Sequence, residues 1–393
     1  MEYLSQTKEA HINFAIIIER QKIALIIEEL KKIPNIINLK SINLFWKSEN
    51  RIENLRRITN ILKSDSNLTC LQEKELSLLT FVIPSKNQNY LKSYNGRIIT
   101  TSIDLLKIDK IIEKKFTNYN YLKTFDYEEY NAILNLTLGC DGFKNYQTSK
   151  LTNLDISKDL EGSNEWSSLS EMFKFLNATC EWIVLRNFED LSDNYEFGKG
   201  DDIDILCSDL SKFTSLMNAK KREGGRCSYY VWIANKKIIL DIRFIGDKYY
   251  DPLWCKDMME HKQYKGLIPV MSDKDYFFSL LYHAKLQKKF IKEIYVSRLN
   301  NLKSKINLLD TKEDFVYDDS VCSGLLNSFL RENNYSYTFT DDAVRNEVFL
   351  KKIKHVEIID FMVNWRVLLV NTFKVIFKKS FNKLTMNLFK NQV

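Results

Sequence analysis

Gly200-Asp201-Asp202-Ile203-Asp204-Ile205-Leu206 and Ile238-Ile239-Leu240-Asp241-Ile242-Arg243-Phe244 are two short apolar runs interrupted by acids. Their Ile-rich composition predicts β-strands. Side chains at i and i+2 of a strand share a face, so Asp202 and Asp204 project together. Asp241 and Arg243 pair in the same way, with Leu240, Ile242 and Phe244 on the opposite face. If the two strands are neighbours, three carboxylates meet at one place. Clustered carboxylates resist ionisation unless a cation sits between them. Mg²⁺ is the expected cation, because it prefers oxygen ligands and bridges carboxylates to substrate phosphates. The pattern points to phosphoryl or nucleotidyl transfer.

An isolated Asp-x-Asp also arises by chance on exposed strand faces. Three further features favour the functional reading. Phe197-Gly198-Lys199-Gly200 precedes the pair and offers backbone N–H groups to a phosphate. The strand expected at Trp182-Ile183-Val184-Leu185 ends abruptly in the polar Arg186-Asn187. Asp241 lies inside an apolar strand, where an unexplained charge is costly.

The runs Trp182 to Leu191 and Gly200 to Leu206 resemble the core of nucleotidyltransferase-fold proteins of the DNA polymerase β superfamily. The resemblance covers residues 165–295. It implies a first strand, a second strand bearing Asp-x-Asp, and a later strand bearing the third acid. The 37-residue gap from Asp204 to Asp241 leaves room for a helix over Leu210 to Lys221, stopped at Gly224-Gly225. A strand over Cys227 to Ala234 and a turn at Asn235-Lys236 then lead into the Asp241 strand. By the same resemblance, Asp202, Asp204 and Asp241 would be the catalytic residues and hold two Mg²⁺ ions. One ion would activate a hydroxyl or phosphate acceptor, and the other would neutralise an NTP triphosphate as pyrophosphate leaves. Asp241 would be the route to a general base. Arg186, Asn187, Gly200 and Arg243 would contact substrate. The superfamily has Gly-Ser where this chain has Arg186-Asn187. Arg186 can serve a phosphate with its guanidinium, or mark a different substrate, or mark a catalytically silent descendant. The alternative to an enzyme is a non-catalytic scaffold of the same fold, recruited to a membrane or a protein partner. The Leu-Arg-Asn and Asp-Ile-Asp pattern also resembles uncharacterised proteins associated with surface-polysaccharide synthesis.

Downstream, Tyr249-Tyr250-Asp251-Pro252-Leu253-Trp254 offers aromatic rings that either stack on a base or sugar or cap the sheet. A helix is expected from Tyr276 to Ile291 with one buried face, Ser272 as N-cap and Asp275 completing a capping box. His283 on that helix reads as structural, while Lys285 or Lys288 is a candidate phosphate contact.

The outer bounds come from the whole chain. Its 393 residues allow two or three domains, and 45% apolar with 13% aromatic residues exclude a disordered protein. The expected class is α+β: a mainly helical N-terminal domain (1–160), a mixed-sheet nucleotidyltransferase-like core (165–295) and a helical C-terminal region (296–393). Residues 148–165, rich in Ser, Thr, Asn and Asp, read as the junction before the core. Within the first part, helices are expected over Lys8 to Ile33, Glu49 to Lys63 with Ser48 as N-cap, Asp104 to Lys115 and Tyr127 to Leu138. Leu78 to Ile83 is either a short buried strand ended by Pro84 or the tail of a buried helix. No phosphate-binding loop, dinucleotide fingerprint or triad signature occurs there.

Seven scattered Cys with no Cys-x-x-Cys argue against zinc and against a disulfide framework. Met1-Glu2-Tyr3-Leu4-Ser5-Gln6 has no basic stretch leading into an apolar core, so no signal peptide is expected and a cytoplasmic location follows. The net charge of +7 is too small a footprint on 393 residues to point to nucleic acid. Its excess gathers in 361–393, which has no Asp or Glu and six basic residues: Arg366, Lys374, Lys378, Lys379, Lys383 and Lys390. Polar interruptions at Asn364, Arg366 and Asn371 exclude a spanning helix. Two readings stay open: a basic amphipathic helix lying on the inner membrane face, or a helix packed on the core with a lysine-rich outer side.

Overall fold

In the computed structural model, Phe14-Ala15-Ile16-Ile17-Ile18 lies in a strand, β1 (Ala10–Glu19), where the Ile/Leu spacing predicts the start of a long helix. The structure describes residues 10–353 except 34–35, 64–70, 72–74, 86–88, 95–96, 103–109, 111–113, 115–120, 125, 190, 194, 198–200, 224, 309–313, 339, 341–343 and 345. The described chain forms two units: residues up to Arg243 with Tyr264–Pro269, and Phe244–Gln263 with the residues from Val270 on. The architecture is α+β, with mixed sheets and flanking helices.

Within the first unit, a short 3₁₀ turn at Arg20–Lys22 leads from β1 to α1 (Ile23–Lys31), so the helix expected over Lys8 to Ile33 is a strand followed by a helix. The reason is double burial. Ile26 and Leu30 of α1 cover Phe14, Ile16 and Ile18, while the helix Tyr127–Leu138 also packs on β1. A strand covered on both faces reads as an unbroken apolar run, without the alternation that marks a half-buried strand. β2 (Ile37–Leu44) and α2 (Arg51–Leu62) follow. α2 begins two residues after the expected start, and Asn50, not Ser48, occupies its N-cap position. β3 (Leu76–Ser85) settles Leu78 to Ile83 as strand. β4 (Asn89–Tyr94) and β5 (Arg97–Ser102) form a separate hairpin. β6 (Tyr121–Lys123), α3 (Tyr127–Leu138), α4 (Cys140–Thr148) and β7 (Asn153–Ile156) complete this part.

Five of these strands form a sheet in the order β6-β1-β3-β2-β7. β1 and β2 run antiparallel to β3, and β7 runs parallel to β2. The N-terminal part is therefore mixed, not mainly helical. The stretch 148–165 supplies β7 as well as polar contacts to α2, among them Asp159 accepting from Asn50 and Asn54. The helix expected at Asp104 to Lys115, apart from Lys110 and Lys114, and the stretch 361–393 lie outside the described residues.

The remaining elements of this unit are α5 (Leu169–Thr179), β8 (Trp182–Arg186), β9 (Ile203–Cys207), α6 (Leu210–Met217), β10 (Lys220–Lys221), β11 (Ser228–Ile233), β12 (Lys236–Phe244), and the short β13 (Gln263–Lys265) and β14 (Ile268–Val270). They form a seven-stranded sheet in the order β10-β11-β12-β9-β8-β14-β13. α6 stops short of the expected Lys221 because Asn218 turns left-handed at φ 56° and closes the helix. Ala234 and Asn235, at φ 48° and 62°, make the tight hairpin turn between β11 and β12.

The second unit contains α7 (Pro252–Glu260), α8 (Asp273–Leu286), α9 (Glu293–Lys305), α10 (Asp319–Glu332) and α11 (Glu347–Leu350). Ser272 caps α8 as expected: its Oγ accepts from the Asp275 N–H at 3.1 Å and donates to the Asp275 carboxylate at 2.6 Å. α8 ends at Leu286, not Ile291, and every residue from Asp275 to Leu286 is buried, so it is enclosed all round instead of presenting one apolar face. Among the described residues no helix is long and apolar enough to cross a membrane, and the six described cysteines are free.

Candidate acidic site

The seven-stranded sheet settles which acids meet. β9, carrying Asp204, lies between β12, carrying Asp241, and β8, which ends at Arg186. On β12 the expected alternation holds as far as Ile242: Ile238, Leu240 and Ile242 are buried and Ile239 and Asp241 half-buried, but Arg243 is buried and Phe244 only half-buried. Leu206 and Cys207 at the far end of β9 are fully buried apolar side chains, so charge is confined to its beginning.

β8 and β9 are antiparallel, pairing Val184 with Ile205 but Arg186 with Asp204. Leu185 is therefore an extra residue, a β-bulge that sets Arg186 directly across from Asp204. The guanidinium grips both carboxylate oxygens: Nη2 forms an ion pair with Oδ1, and Nε donates to Oδ2 at 3.3 Å. Both side chains are buried, 6% exposed in each case. Asn187 follows in the left-handed region, φ 59°, where Asn is tolerated better than most residues. Its Nδ2 lies 3.5 Å from Asp204 Oδ2.

Asp202 and Asp241 have different surroundings. Burial, then repulsion from Asp204 and Asp241, pushes the half-buried Asp202 carboxyl up to about 6, with Arg186 opposing. Burial also raises Asp241; Arg243 pulls the other way, and the Asp204 charge adds to the rise. Arg243, itself buried, reaches Asp241 Oδ2 at 3.3 Å and donates to the Cys227 sulfur at 3.4 Å. Asp201 accepts from the Tyr195 hydroxyl at 3.3 Å. Neither Tyr195 nor Cys227 stands out in the sequence, because each depends on a loop or register contact that spacing does not encode.

Of the expected site residues, Asp202, Asp204, Asp241, Arg186, Asn187 and Arg243 are gathered in one region. Gly200 lies outside the described residues. The carboxylates are close enough to repel one another, yet among the described residues no three His, Cys, Asp or Glu side chains converge so as to hold a metal ion. Positive charge beside them comes from Arg186 and Arg243.

Candidates in the second unit resolve differently. Tyr249, Tyr250 and Trp254 are buried at 3%, 1% and 0% exposure, so these rings are core and stack on no ligand. Trp254 stacks on Tyr335 with centroids 5.6 Å apart. His283 is structural, hydrogen-bonded to the Tyr249 hydroxyl at 2.8 Å and to Gln287 at 3.0 Å. Buried Lys285 is committed to Asp319 at 2.5 Å and to the Val316 carbonyl at 3.0 Å, which removes it as a phosphate contact.

Comparison with protein-family models, with curated proteins and with solved structures gives no match.

Proposed function

We propose that the first unit is a nucleotidyltransferase, moving a nucleotidyl group from an NTP to a hydroxyl or phosphate acceptor. One observation carries this reading: neighbouring strands β9 and β12, with Asp202 just before β9, gather three acids, and burial first, then the charges of Asp204 and Asp241, raise Asp202 to about 6. Catalytic sites are where acids are crowded and their proton affinities driven apart. In the transfer, the acceptor oxygen forms a bond to the α-phosphorus, the bridge to the β-phosphate breaks, and pyrophosphate leaves with the electron pair. Asp241, its proton affinity raised by burial, is the group suited to take an acceptor hydroxyl's proton. Arg186 and Arg243 present guanidinium forks that exchange carboxylate for phosphate oxygens. Asp202, Asp204 and Asp241 are the residues that would hold two Mg²⁺ ions, which would supply Lewis-acid activation of the acceptor and neutralise the triphosphate. A cytoplasmic site with peripheral membrane contact through 361–393 belongs to the same reading, supported by the six basic residues and absence of acids there; so does an acceptor from surface-polysaccharide synthesis.

A second reading, a non-catalytic module, is favoured by the Arg186–Asp204 ion pair, which occupies both oxygens of the central acid. Melting temperature and pyrophosphate release, measured with each NTP with and without Mg²⁺, separate the two. The transferase reading expects one NTP to raise the melting temperature by several degrees, roughly the effect of ligand at a hundred times its Kd. It also expects pyrophosphate release that Asp241→Asn abolishes. No shift with any NTP and no pyrophosphate establishes the second reading.

A further inference from the structure

Between α8 and α9 the chain reads Lys288-Lys289-Phe290-Ile291-Lys292-Glu293-Ile294. Phe290 stands 84% exposed and Ile294 52%. Tyr317, 56% exposed, joins them through its hydroxyl, which donates to Glu293 at 2.8 Å. Large apolar side chains gathered at a projecting turn are costly in water and mark an interaction surface. Both ends of the turn are anchored. Gln287 is buried and donates to the Tyr249 carbonyl at 3.0 Å. Tyr295 is buried with its ring edge-on to His283, centroids 5.7 Å apart.

We propose that this turn docks on an anionic lipid surface, with Phe290 and Ile294 entering the acyl boundary and Lys289 and Lys292 at the headgroups. Charge complementarity selects the partner: three lysines against the single Glu293 leave the seven-residue turn at about +2, suited to an anionic leaflet. The apolar members select a bilayer over a nucleic acid. Ile291 and Ile294 follow Phe290 in the chain, and aliphatic side chains dissolve among acyl chains but offer no plane for stacking a base. Lysines beside such a wedge keep their charge at the interface while their stems run along it. The surface belongs to the second unit and stands independently of the transferase reading and of 361–393.

The test is sedimentation of the full chain with vesicles of phosphatidylcholine alone or with about 30% phosphatidylserine. Binding is expected only to the anionic vesicles and is expected to fall as salt rises. Phe290→Ser is expected to weaken it about tenfold, and Lys289→Glu with Lys292→Glu at least as much. Both variants should keep the wild-type melting temperature, since these side chains are exposed. In Phe290→Trp, indole emission should shift to the blue on anionic vesicles. A chain with the six basic residues of 361–393 changed to Gln should retain a Phe290-dependent share of binding. The proposal is overturned if wild type does not sediment, if it binds neutral vesicles equally, or if Phe290→Ser binds as wild type does. Competition for the Phe290-dependent binding by a single-stranded oligonucleotide overturns it in favour of nucleic acid.

Discussion

Arg57 on α2 and Arg186 at the end of β8 are both buried arginines of the first unit, and they are neutralised in opposite ways. Arg57 is fully enclosed and donates to neutral oxygens only: the Ser215, Leu216 and Glu161 carbonyls at 2.8, 2.9 and 2.7 Å and the Ser163 hydroxyl at 3.0 Å. Burial pulls its guanidinium down to about 9, with the charges of Glu53 and Glu161 opposing and none of its hydrogen bonds reaching a carboxylate. Arg186 faces Asp204, with two more acids near that one. The first arrangement closes the last turn of α6 and the 161–163 segment onto α2, and every donor contact serves the fold. The second leaves a surplus of negative charge that packing alone does not call for. Only a region with such a surplus has something to offer a ligand.

Substitutions can break this contrast. Arg57→Met should have the largest effect, about 4 kcal/mol of lost stability, because several buried acceptors lose their donor at once. Urea unfolding should show the same loss at pH 6 and pH 8, since a group near 9 does not titrate between them. Arg186→Met should cost somewhat less, about 3 kcal/mol at pH 8, by leaving the buried Asp204 without its counter-charge. An equal loss at pH 5, where Asp202 is neutral and the repulsion weaker, would place Arg186 with Arg57 as a purely structural clamp. Asp202→Asn should have the smallest effect and the opposite sign. The folded carboxyl sits at about 6 against roughly 3.9 when unfolded. The folded state thus holds the extra proton between those values, and Asp202's contribution is present below pH 4 and lost as pH rises through 6. The Asn variant should therefore gain on wild type above pH 6, by on the order of 1 kcal/mol once partial exposure is discounted. Thermal melts from pH 4 to pH 8 measure it; a variant destabilised at pH 8 would show Asp202 to be held by favourable contacts.

Much of this contrast could be read before the fold was known, and the rest could not, for identifiable reasons. Asp204, Asp241 and Arg243 were legible because strand periodicity places i and i+2 on one face whatever the sheet order, whereas Asp202, expected on the same strand as Asp204, lies one residue before β9. The Ser272 cap rests on equally local chemistry, and so does the hairpin turn, expected at Asn235-Lys236 and found one residue earlier at Ala234-Asn235. β1 was illegible because burial on both faces erased its alternation. Arg57 gave no signal: its partners lie more than 100 residues away in sequence, and nothing local distinguishes a buried helical arginine from a solvated one. Arg186 was noticed for the right reason, an abrupt polar end to a strand, but its partner was expected to be a phosphate. The pairing with Asp204 depends on the bulge at Leu185, and a bulge has no reliable spelling in sequence.

That bulge makes the charge balance of the site a matter of counting. Val184 pairs with Ile205, and only the extra residue after it brings Arg186 level with Asp204. Adding one residue beside Leu185, with the bulge kept at its present size, would keep every charged residue in the chain yet slide the guanidinium one position along β9, opposite Ile203 and onto the other side of the sheet. A single codon gained at this point is thus enough to free the acids of their counter-charge without altering one of them, a short path by which a lineage with this strand pair could pass between a silent and a charged site.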